Sequence, residues 1–439
     1  MTPVVRGLLW SVVYLLAAIA PLFFMIVGDA PPGRGWWTDL SMGLGFVGLA
    51  MLGLQFAVTA RFNPVDAPYG LDVVLQFHRQ ISLVAFAFIL AHPAILFVGD
   101  PQLLRLLNPV TATAPARWGL VSLVGLVVII ATSLWRRQLR LRYETWRVLH
   151  GVLAFVIVAT AVVHVELVGY YVSGPWRRAL WVAMSLVLLG LLVYVRLIKP
   201  VQLLRRPYRI ASVRPVGAET WTLRLEPDGH AGVRFSPGQF GWLIVDRSPL
   251  SVREHPFSFS SSAEDHSGVD FTIKEAGDFT ATVGDIAPGT RAYVDGPYGA
   301  FSYERNEAAG FVFVAGGVGI TPVISMLRTL ADLEDRRPMW LFYANPAEDG
   351  VIFRSELDGL CDRLDLRLVE ILEDPPEGWA GEQGFVTPEI LDRHLPERDE
   401  RLQYFICGPE PMMAAVEQAL HDRGIPADHV NLERFDFIE

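Results

Sequence analysis

The sequence predicts a membrane-spanning bundle of six α-helices, followed by an antiparallel β-barrel domain and an α/β domain. Residues 1–200 carry 15 Lys or Arg and 7 Asp or Glu, whereas the remainder carries 22 and 40. The hydrophobic fraction of 51% and the mean hydropathy of +0.33 are high for a soluble chain. A basic, apolar first half joined to an acidic second half indicates a membrane domain fused to a soluble one.

The six predicted spans are the apolar stretches before residue 200. Each is close to the roughly 17–25 residues that cross a hydrocarbon core. Five arginines lie between spans four and five, and a second basic cluster follows span six, so the positive-inside tendency predicts that the amino terminus and the soluble half are cytoplasmic. The first span is too long for a signal-peptide core and is expected to be retained. The spans are 8–27, 41–59, 73–98, 118–135, 148–168 and 179–198.

Four histidines fall within the spans, in two pairs of identical spacing. His78 and His92 lie in the third span, and His150 and His164 lie in the fifth. Fourteen helical residues correspond to a rise of about 21 Å and a rotation about 40° short of four turns, so both members of a pair lie on one helix face. Spans three and five run in the same direction, and we expect His78 to face His150 and His92 to face His164. Two such pairs suit two haems, each iron held by two imidazoles.

Other interpretations of these histidines are a hydrogen-bonded core residue, a zinc site or a proton pathway. The spans contain almost no Asp or Glu, apart from Glu166 at the end of span five, and this weakens an ion-transport role. Arg79 and Arg147 lie close to the histidines predicted at the inner side. They suit haem propionates and ordinary positive-inside anchoring equally well.

Short alternating strands follow from about residue 207, at 208–214, 220–226, 240–246 and 269–274, as in a small antiparallel barrel. The segment 255–261, HPFSFSS, places an aromatic ring and hydroxyls where they could flank a flat ring. The segment 273–280, IKEAGDFT, offers a cation, a glycine and a hydroxyl suited to a pyrophosphate. For each segment alone, a strand–turn–strand interpretation remains open.

Strands and helices alternate after Asp295, which predicts a parallel sheet. The strand 311–315 leads into the sequence GGVGITP and then a helix at 322–332, so backbone N–H groups could approach a phosphate closely. The strand 403–406 ends in CGPEPMM, and the carboxyl ends of parallel strands are where ligands bind in open sheets. Cys407 could therefore contact a nicotinamide, although a small buried thiol is the ordinary role of Cys.

Taken in order, HPFSFSS, IKEAGDFT, DGPYG, AGGVGITP and CGPEPMM resemble the flavin and nicotinamide domains of the ferredoxin–NADP reductase family. Joined to six spans with paired histidines, the whole chain resembles the ferric reductase and NADPH oxidase superfamily. The resemblance implies a di-haem membrane domain at 1–200, an FAD-binding barrel at 201–303 and an NADPH-binding α/β domain at 304–439.

The resemblance also implies the roles of individual residues. Phe257 would lie against the flavin with Ser258 near its reactive nitrogen, and Cys407 would lie near hydride transfer. Phe435, or else Phe437, would cover the flavin until nicotinamide displaces it. The catalytic candidates are thus Ser258, Cys407 and Phe435. The cofactor-binding candidates are His255, Pro256, Phe257, Ser258, Lys274, Gly277 and Thr280 for FAD, Gly316, Gly317, Gly319, Thr321, Arg354, Cys407 and Gly408 for the dinucleotide, and Phe435 over the flavin.

The implied function is electron transfer from NADPH through FAD and two b-type haems to an acceptor on the outer face. Oxygen, a ferric chelate and a periplasmic redox partner are all open as acceptors. Arg354 could meet the 2′-phosphate of NADPH or cap a helix, so NADPH is favoured and NADH stays open. The acidic soluble half argues against nucleic acid as a partner, and two cysteines form no disulfide framework, in keeping with the cytoplasm. The rival functions are a metal or proton transporter with a redox-sensing tail and a membrane-tethered flavin reductase without haem.

Overall fold

The computed structural model describes residues 3–26, 31–60, 71–217, 219–251, 253–305, 307–396 and 401–434. Contacts between Cα atoms divide the chain into two compact units, Met1–Pro200 and Val201–Glu439. The first unit is helical, and the second is built on two six-stranded sheets.

The described residues of the first unit form six long helices. Short helical segments accompany them at Ala20–Leu22, Phe23–Ile26, Pro101–Leu107, Tyr194–Ile198 and Lys199–Leu204. Within the described ranges, five segments are long and apolar enough to cross a membrane: Trp36–Val58, Val73–Gly99, Ala114–Leu134, Tyr143–Val168 and Pro175–Leu204. They correspond to predicted spans two to six. The apolar helix at Gly7–Leu22 is shorter, so the count of six stays a prediction. The long helices are α1 (Pro3–Ile19), α2 (Trp36–Val58), α3 (Leu71–Gly99), α4 (Ala114–Leu134), α5 (Tyr143–Val168) and α6 (Pro175–Val193).

Glycines set the close packing of neighbouring helices in this unit. A methyl group at Gly48 of α2 would lie 2.6 Å from Cγ1 of Ile89 on α3, and one at Gly125 of α4 would lie 3.0 Å from Cγ1 of Ile157 on α5. Small residues let helix backbones approach in a bilayer, where lipid tails compete with ordinary apolar packing. The pairs α2–α3 and α4–α5 are thereby held in close contact.

The first sheet of the second unit is antiparallel, with the order β4-β3-β6-β1-β2-β5. Its inward side chains, among them Ile210, Leu223 and Phe271, are fully buried. An isolated antiparallel bridge joins Phe259, just after β4, to Phe271 on β5, so the two ends of the strand order meet. The strands are β1 (Tyr208–Gly217), β2 (Thr220–Pro227), β3 (Phe240–Val245), β4 (His255–Ser258), β5 (Val269–Lys274) and β6 (Arg291–Tyr298).

The second sheet is parallel, with the order β10-β9-β8-β7-β11-β12 and helices on both faces. Burial on both faces explains why β7 is a continuous apolar run and why β11 is apolar apart from Gln403. The strand order reverses between β7 and β11, and such a switch point is where open parallel sheets bind ligands. The strands are β7 (Gly310–Gly316), β8 (Met339–Asn345), β9 (Leu366–Leu372), β10 (Glu382–Gln383), β11 (Leu402–Cys407) and β12 (Val430–Glu433). The helices are α7 (Ile320–Asp332), α8 (Arg354–Arg363), α9 (Pro388–His394) and α10 (Glu410–Asp422).

The segment 260–263, which follows β4, is tied to helix α7. Ser325 Oγ donates to Ser261 O at 2.7 Å, and Ala263 N donates to Thr329 Oγ1 at 2.9 Å. Arg328 donates to Ser260 O and also forms a two-point ion pair with Glu356. These buried contacts hold the antiparallel sheet against the parallel-sheet layer.

Candidate redox and nucleotide sites

The four spanning histidines form two facing pairs between α3 and α5. The ring centres of His78 and His150 lie 6.3 Å apart, and those of His92 and His164 lie 6.5 Å apart. An ion bound at about 2.0 Å by both rings of a pair would set the ring centres roughly 6 Å apart. The structure therefore brings together the residues that the fourteen-residue spacing predicts.

In all four histidines the nitrogen that contacts the protein is Nδ1. In His78 it lies 2.7 Å from Gln55 Oε1, and in His150 it lies 3.3 Å from Ser133 Oγ. His92 and His164 use backbone carbonyls, Ser41 O at 3.0 Å and Pro115 O at 2.8 Å respectively. A metal-bound imidazole ordinarily donates its other N–H to such an acceptor, which fixes the ring and leaves Nε2 for the metal.

Two glycines make room for the rings of the second pair. A methyl group at Gly45 of α2 would lie 3.3 Å from Cγ of His92, and one at Gly119 of α4 would lie 2.9 Å from Nδ1 of His164. The rings of His92 and His164 therefore pack directly against the helix backbone at these two glycines. This arrangement fits bis-imidazole ligation of haem iron. It combines facing rings, Nδ1 contacts to the protein and glycines that leave space for the rings of the second pair.

The segment at β4 presents aromatic rings and a buried hydroxyl. The ring of His255 stacks on Phe279 with centres 4.1 Å apart and planes 2° apart, and Phe257 lies 6.2 Å from Phe279. Ser258 is 4% exposed, and its Oγ has no hydrogen-bond partner among the described residues. A buried hydroxyl without a partner is uncommon in folded proteins and points to a missing ligand. A heteroatom of a flavin ring would supply the partner that this hydroxyl lacks among the described residues.

The loop after β5 uses its own hydroxyl to fold. Thr280 Oγ1 accepts the N–H groups of Ala276 and Gly277, both at 2.8 Å. Lys274 and Gly277 are exposed. Since those two amides are already occupied by Thr280, Lys274 is the group in this loop that can meet an anionic cofactor.

The glycine-rich turn and the segment after β11 lie against each other at the switch point. A methyl group at Gly319 would lie 2.4 Å from Cys407 O, and one at Gly408 would lie 3.0 Å from Cα of Gly316. Gly317 has φ +52°, and a methyl group there would meet nothing within 4 Å. Thr321 follows in the first turn of α7, whose free N–H groups suit a phosphate.

Cys407 is fully buried, and its side chain belongs to the apolar cluster that also contains Phe405 and Ile320. Burial and then the charge of Glu433 raise the pKa of this thiol well above its usual value. It is therefore a protonated thiol shielded from solvent, as the simpler interpretation expects, and Gly408 is the more exposed neighbour.

Arg354 is held by acidic residues rather than left open for a phosphate. It pairs with Glu348 at 2.5 Å and Glu370 at 3.1 Å, and its guanidinium lies 5.6 Å from the ring centre of Trp379. The hydrogen bond that Arg354 donates to Glu348, and then those that it donates to Glu370, raise the pKa of Arg354 against the opposing effect of burial. Phe435 and Phe437, the candidate flavin covers, lie outside the described residues.

Sequence reasoning assigned no site role to three residues that the structure singles out. Phe279 pairs with His255 across a loop, and its role was hidden because it depends on a contact 24 residues away. Arg196 lies beside Gly151, where a methyl group would be 2.6 Å from its Nη2. Arg177 is 3% exposed within the helical unit. The sequence shows that an arginine lies in this apolar helix, but only the structure shows that it is buried.

Two families of known proteins match the chain. The "Ferric reductase like transmembrane component" family matches residues 44–161, and the "Oxidoreductase NAD-binding domain" family matches residues 313–418. The first range contains His78, His92 and His150 and ends three residues before His164. The second begins in β7, ends in α10 and contains the glycine-rich turn.

Individual relatives match the second unit. NADH-cytochrome b5 reductase 1 of Debaryomyces hansenii is 37% identical over 166 residues, which are 36% of this chain and 58% of that protein. The reductase component of propane 2-monooxygenase of Rhodococcus jostii is 29% identical over 236 residues, 52% of this chain and 62% of that protein. The chain thus spans about three fifths of the length of these curated relatives. Among solved structures, the flavohem-like FAD/NAD binding domain of nitric oxide dioxygenase from Vibrio cholerae aligns with a TM-score of 0.47 at 21% identity, over 52% of this chain and 98% of that one.

The matches to both families confirm the resemblance predicted from the sequence. They indicate an integral membrane protein that carries an oxidoreductase NAD-binding domain. The chain has the architecture of the ferric reductase and NADPH oxidase superfamily, a ferric-reductase-like transmembrane component joined to an oxidoreductase NAD-binding domain.

Proposed function

We propose that the chain is a transmembrane oxidoreductase that passes electrons from a cytoplasmic pyridine nucleotide, through FAD and two b-type haems, to an acceptor on the outer face. The observation that carries this proposal is the pair of facing histidine sites, with ring centres 6.3 and 6.5 Å apart on two neighbouring helices. FAD, when bound, accepts two electrons together and releases them singly, which couples a hydride donor to one-electron haem centres.

The ligands of the haems are His78 with His150, and His92 with His164. Gln55, Ser133 and two backbone carbonyls orient the four rings through Nδ1. Such outer contacts fix the tautomer and raise the basicity of the ligand. The protein thereby holds each ring in place before the haem is bound.

The flavin site is proposed at β4, within an FAD domain at 201–303 whose strands close into a barrel. The bridge from Phe259 to Phe271 supports closure, because it joins the two ends of the strand order. His255, Pro256 and Phe257 would flank the flavin, the buried hydroxyl of Ser258 would meet its reactive nitrogen, and the aromatic end of the chain at Phe435 would cover it. Lys274 would meet its phosphates.

The dinucleotide site is proposed at the switch point of the parallel sheet, within a domain at 304–439. Gly316, Gly317 and Gly319 would let the pyrophosphate approach the backbone, and Thr321 would lie in the helix turn beneath it. Gly408 would leave space for the nicotinamide, and the backbone of Cys407 would line the site on the side of Gly319.

We propose six spans, with the amino terminus and the second unit in the cytoplasm. The arginines between α4 and α5 and those after α6 support this orientation, because cytoplasmic connections retain positive charge. The haem of His78 and His150 is then the inner one, and that of His92 and His164 is the outer one.

The test is an absorption spectrum of the purified protein before and after addition of NADH or NADPH. We expect the bands of low-spin haem in the oxidised protein and their reduced forms after nucleotide is added. Absence of haem bands would leave a membrane-tethered flavin reductase or a transporter as the better account. Haem that stays oxidised with FAD and nucleotide present would contradict the electron path.

The acceptor is proposed to be oxygen or a ferric chelate. If both imidazoles of each pair ligate a haem iron, the acceptor would be reduced without binding to that iron. Parallel assays of superoxide formation and ferric-chelate reduction on the same preparation will separate the two.

A further inference from the structure

Helix α6 begins with two consecutive arginines that have opposite surroundings. Arg178 has a 65% exposed side chain and pairs with Glu166. Arg177 is 3% exposed, and its Nε has no hydrogen-bond partner among the described residues. Its guanidinium lies 5.4 Å from the ring centre of Trp176, a contact that does not neutralise the charge. A buried guanidinium in an apolar bundle is strongly unfavourable unless an anion accompanies it.

The packing of α6 against α2 gives the depth of Arg177 in the bundle. Phe46 packs on Trp181 with ring centres 6.1 Å apart, and a methyl group at Gly53 would lie 2.5 Å from Cδ1 of Leu188. Both contacts have the same sequence offset, so the two helices run parallel with a constant register. Arg177 is therefore level with Met42.

This level is that of the second histidine pair. His92 donates to Ser41 O, the residue before Met42, and its ring lies against Gly45. The buried guanidinium on α6 and the His92–His164 site on α3 and α5 thus lie at the same depth, and each of these three helices contacts α2.

Two described carboxylates near this end of the bundle, Asp39 and Glu166, have other partners. Asp39 accepts the hydroxyl of Tyr171 at 2.7 Å and the N–H of Arg34 at 3.2 Å. Glu166 pairs with Arg178. The described residues therefore supply no ion-pair partner for Arg177, and a bound anion would supply one.

We propose that Arg177 binds a propionate carboxylate of the haem held by His92 and His164. This assignment rests on the proposed function, which places a haem at that pair. A guanidinium offers parallel N–H donors to a carboxylate and keeps its charge when buried, so it suits this contact better than an ammonium. Neutralising a propionate beside the iron favours the reduced haem and so raises its reduction potential.

The test compares Arg177→Met, Arg177→Lys and the control Arg178→Met in the full-length protein. Haem content and the two reduction potentials are measured by spectroscopic redox titration, and a His164→Ala variant identifies which titration step belongs to the second pair. We expect Arg177→Met either to lose that haem or to lower its potential while the other haem is unchanged. Arg177→Lys should keep the haem with a smaller shift, and Arg178→Met should match the wild type.

Two haems with wild-type potentials in Arg177→Met would overturn the assignment while leaving the proposed function intact. If Arg177→Met does not fold, Arg177→Lys decides, because an unchanged potential there would also overturn the assignment. A wild-type protein without haem would refute the proposed function itself. If Arg177→Met changes only the rate of acceptor reduction and keeps both haem reduction potentials, Arg177 acts at the acceptor, and the propionate contact is contradicted.

Discussion

The charges around the carboxyl end of β8 argue for NADH, whereas the sequence alone favoured NADPH. Arg354 is neutralised by Glu348 and Glu370. Glu373 and Asp374 also lie close to this end of β8, because Glu373 N donates to Asn345 O and Asp374 N donates to Pro346 O. The residue after the second strand of a dinucleotide-binding unit commonly meets the adenosine ribose, where an acidic group suits a hydroxyl and an arginine suits a phosphate.

We predict that NADH reduces the flavin with at least about tenfold higher efficiency than NADPH, equivalent to about 1.4 kcal/mol. Glu348→Gln combined with Glu370→Gln releases Arg354 and should raise efficiency with NADPH several-fold. Stopped-flow flavin reduction with each nucleotide measures both effects, and Glu389→Gln, an exposed site on α9, is the matched control. A wild type that prefers NADPH would contradict the prediction.

Asp265 ties the chain after β4 to Arg224 on β2, at a distance of 2.7 Å. Burial raises the pKa of Asp265, but hydrogen bonds from Arg224 and Ser267 outweigh it and lower the pKa from 3.8 to about 2. A lowered pKa means that the ionised group stabilises the fold above about pH 4 and loses this effect as the pH falls toward about 2.

Asp265→Asn should therefore lower the free energy of unfolding by about 1 kcal/mol at pH 7, a figure reduced for the partial exposure of the carboxylate. Thermal unfolding of both proteins at several pH values measures it. The difference should narrow between about pH 4 and pH 2, and Asp278→Asn, at an exposed carboxylate, should show neither effect. A constant difference across this range would contradict the ion pair's role.

The histidine pairs were predictable from spacing, whereas their supports were not. The fourteen-residue interval places two rings on one helix face, and this is a local property of the sequence. The contact of His78 with Gln55 and that of His164 with Pro115 join residues 23 and 49 positions apart. Such contacts follow from how helices pack, so they required the structure.

At the scale of elements, α4 and α5 approach closely because Gly119 leaves space for His164. A methyl group there would lie 2.9 Å from Nδ1 and would push the ring away from Pro115 O. We predict that Gly119→Ala lowers the occupancy of one haem, since the loss of an outer contact to a ligand commonly weakens metal binding about 10–100-fold.

The ratio of haem to protein in purified Gly119→Ala measures this effect. Gly190→Ala on α6 is the control, because a methyl group there would meet nothing within 4 Å. If Gly119→Ala keeps full haem occupancy with unshifted haem bands, the position of the His164 ring does not depend on a glycine at 119.

Elements with long periodic patterns were predicted well, and short ones were not. The predicted strand 269–274 coincides with β5, and the span 73–98 falls within α3. The two-residue strand β10 and the four-residue strand β12 are too short to show a pattern and form by pairing with β9 and β11. The edge strands of the parallel sheet therefore depend on tertiary contacts.

At the scale of the whole molecule, the proposed function requires both histidine pairs to act in sequence. His78 and His150 lie toward the end of α3 and α5 that is predicted to face the cytoplasm, and the second pair lies fourteen residues further along each helix. Electrons from the flavin would reach the first pair before the second. Substitution of either pair should therefore have different consequences.

We predict that His92→Ala with His164→Ala keeps the haem of the first pair and its reduction by NADH, while reduction of the outer acceptor is lost. His78→Ala with His150→Ala should instead leave a haem that dithionite reduces and NADH reduces only slowly, because its nearest electron source is gone. Rapid-scan absorption spectra of both variants, with His421→Ala as an exposed control, provide the measurement. If NADH rapidly reduces the haem that remains in His78→Ala with His150→Ala, the two sites receive electrons independently. That result would contradict the serial path.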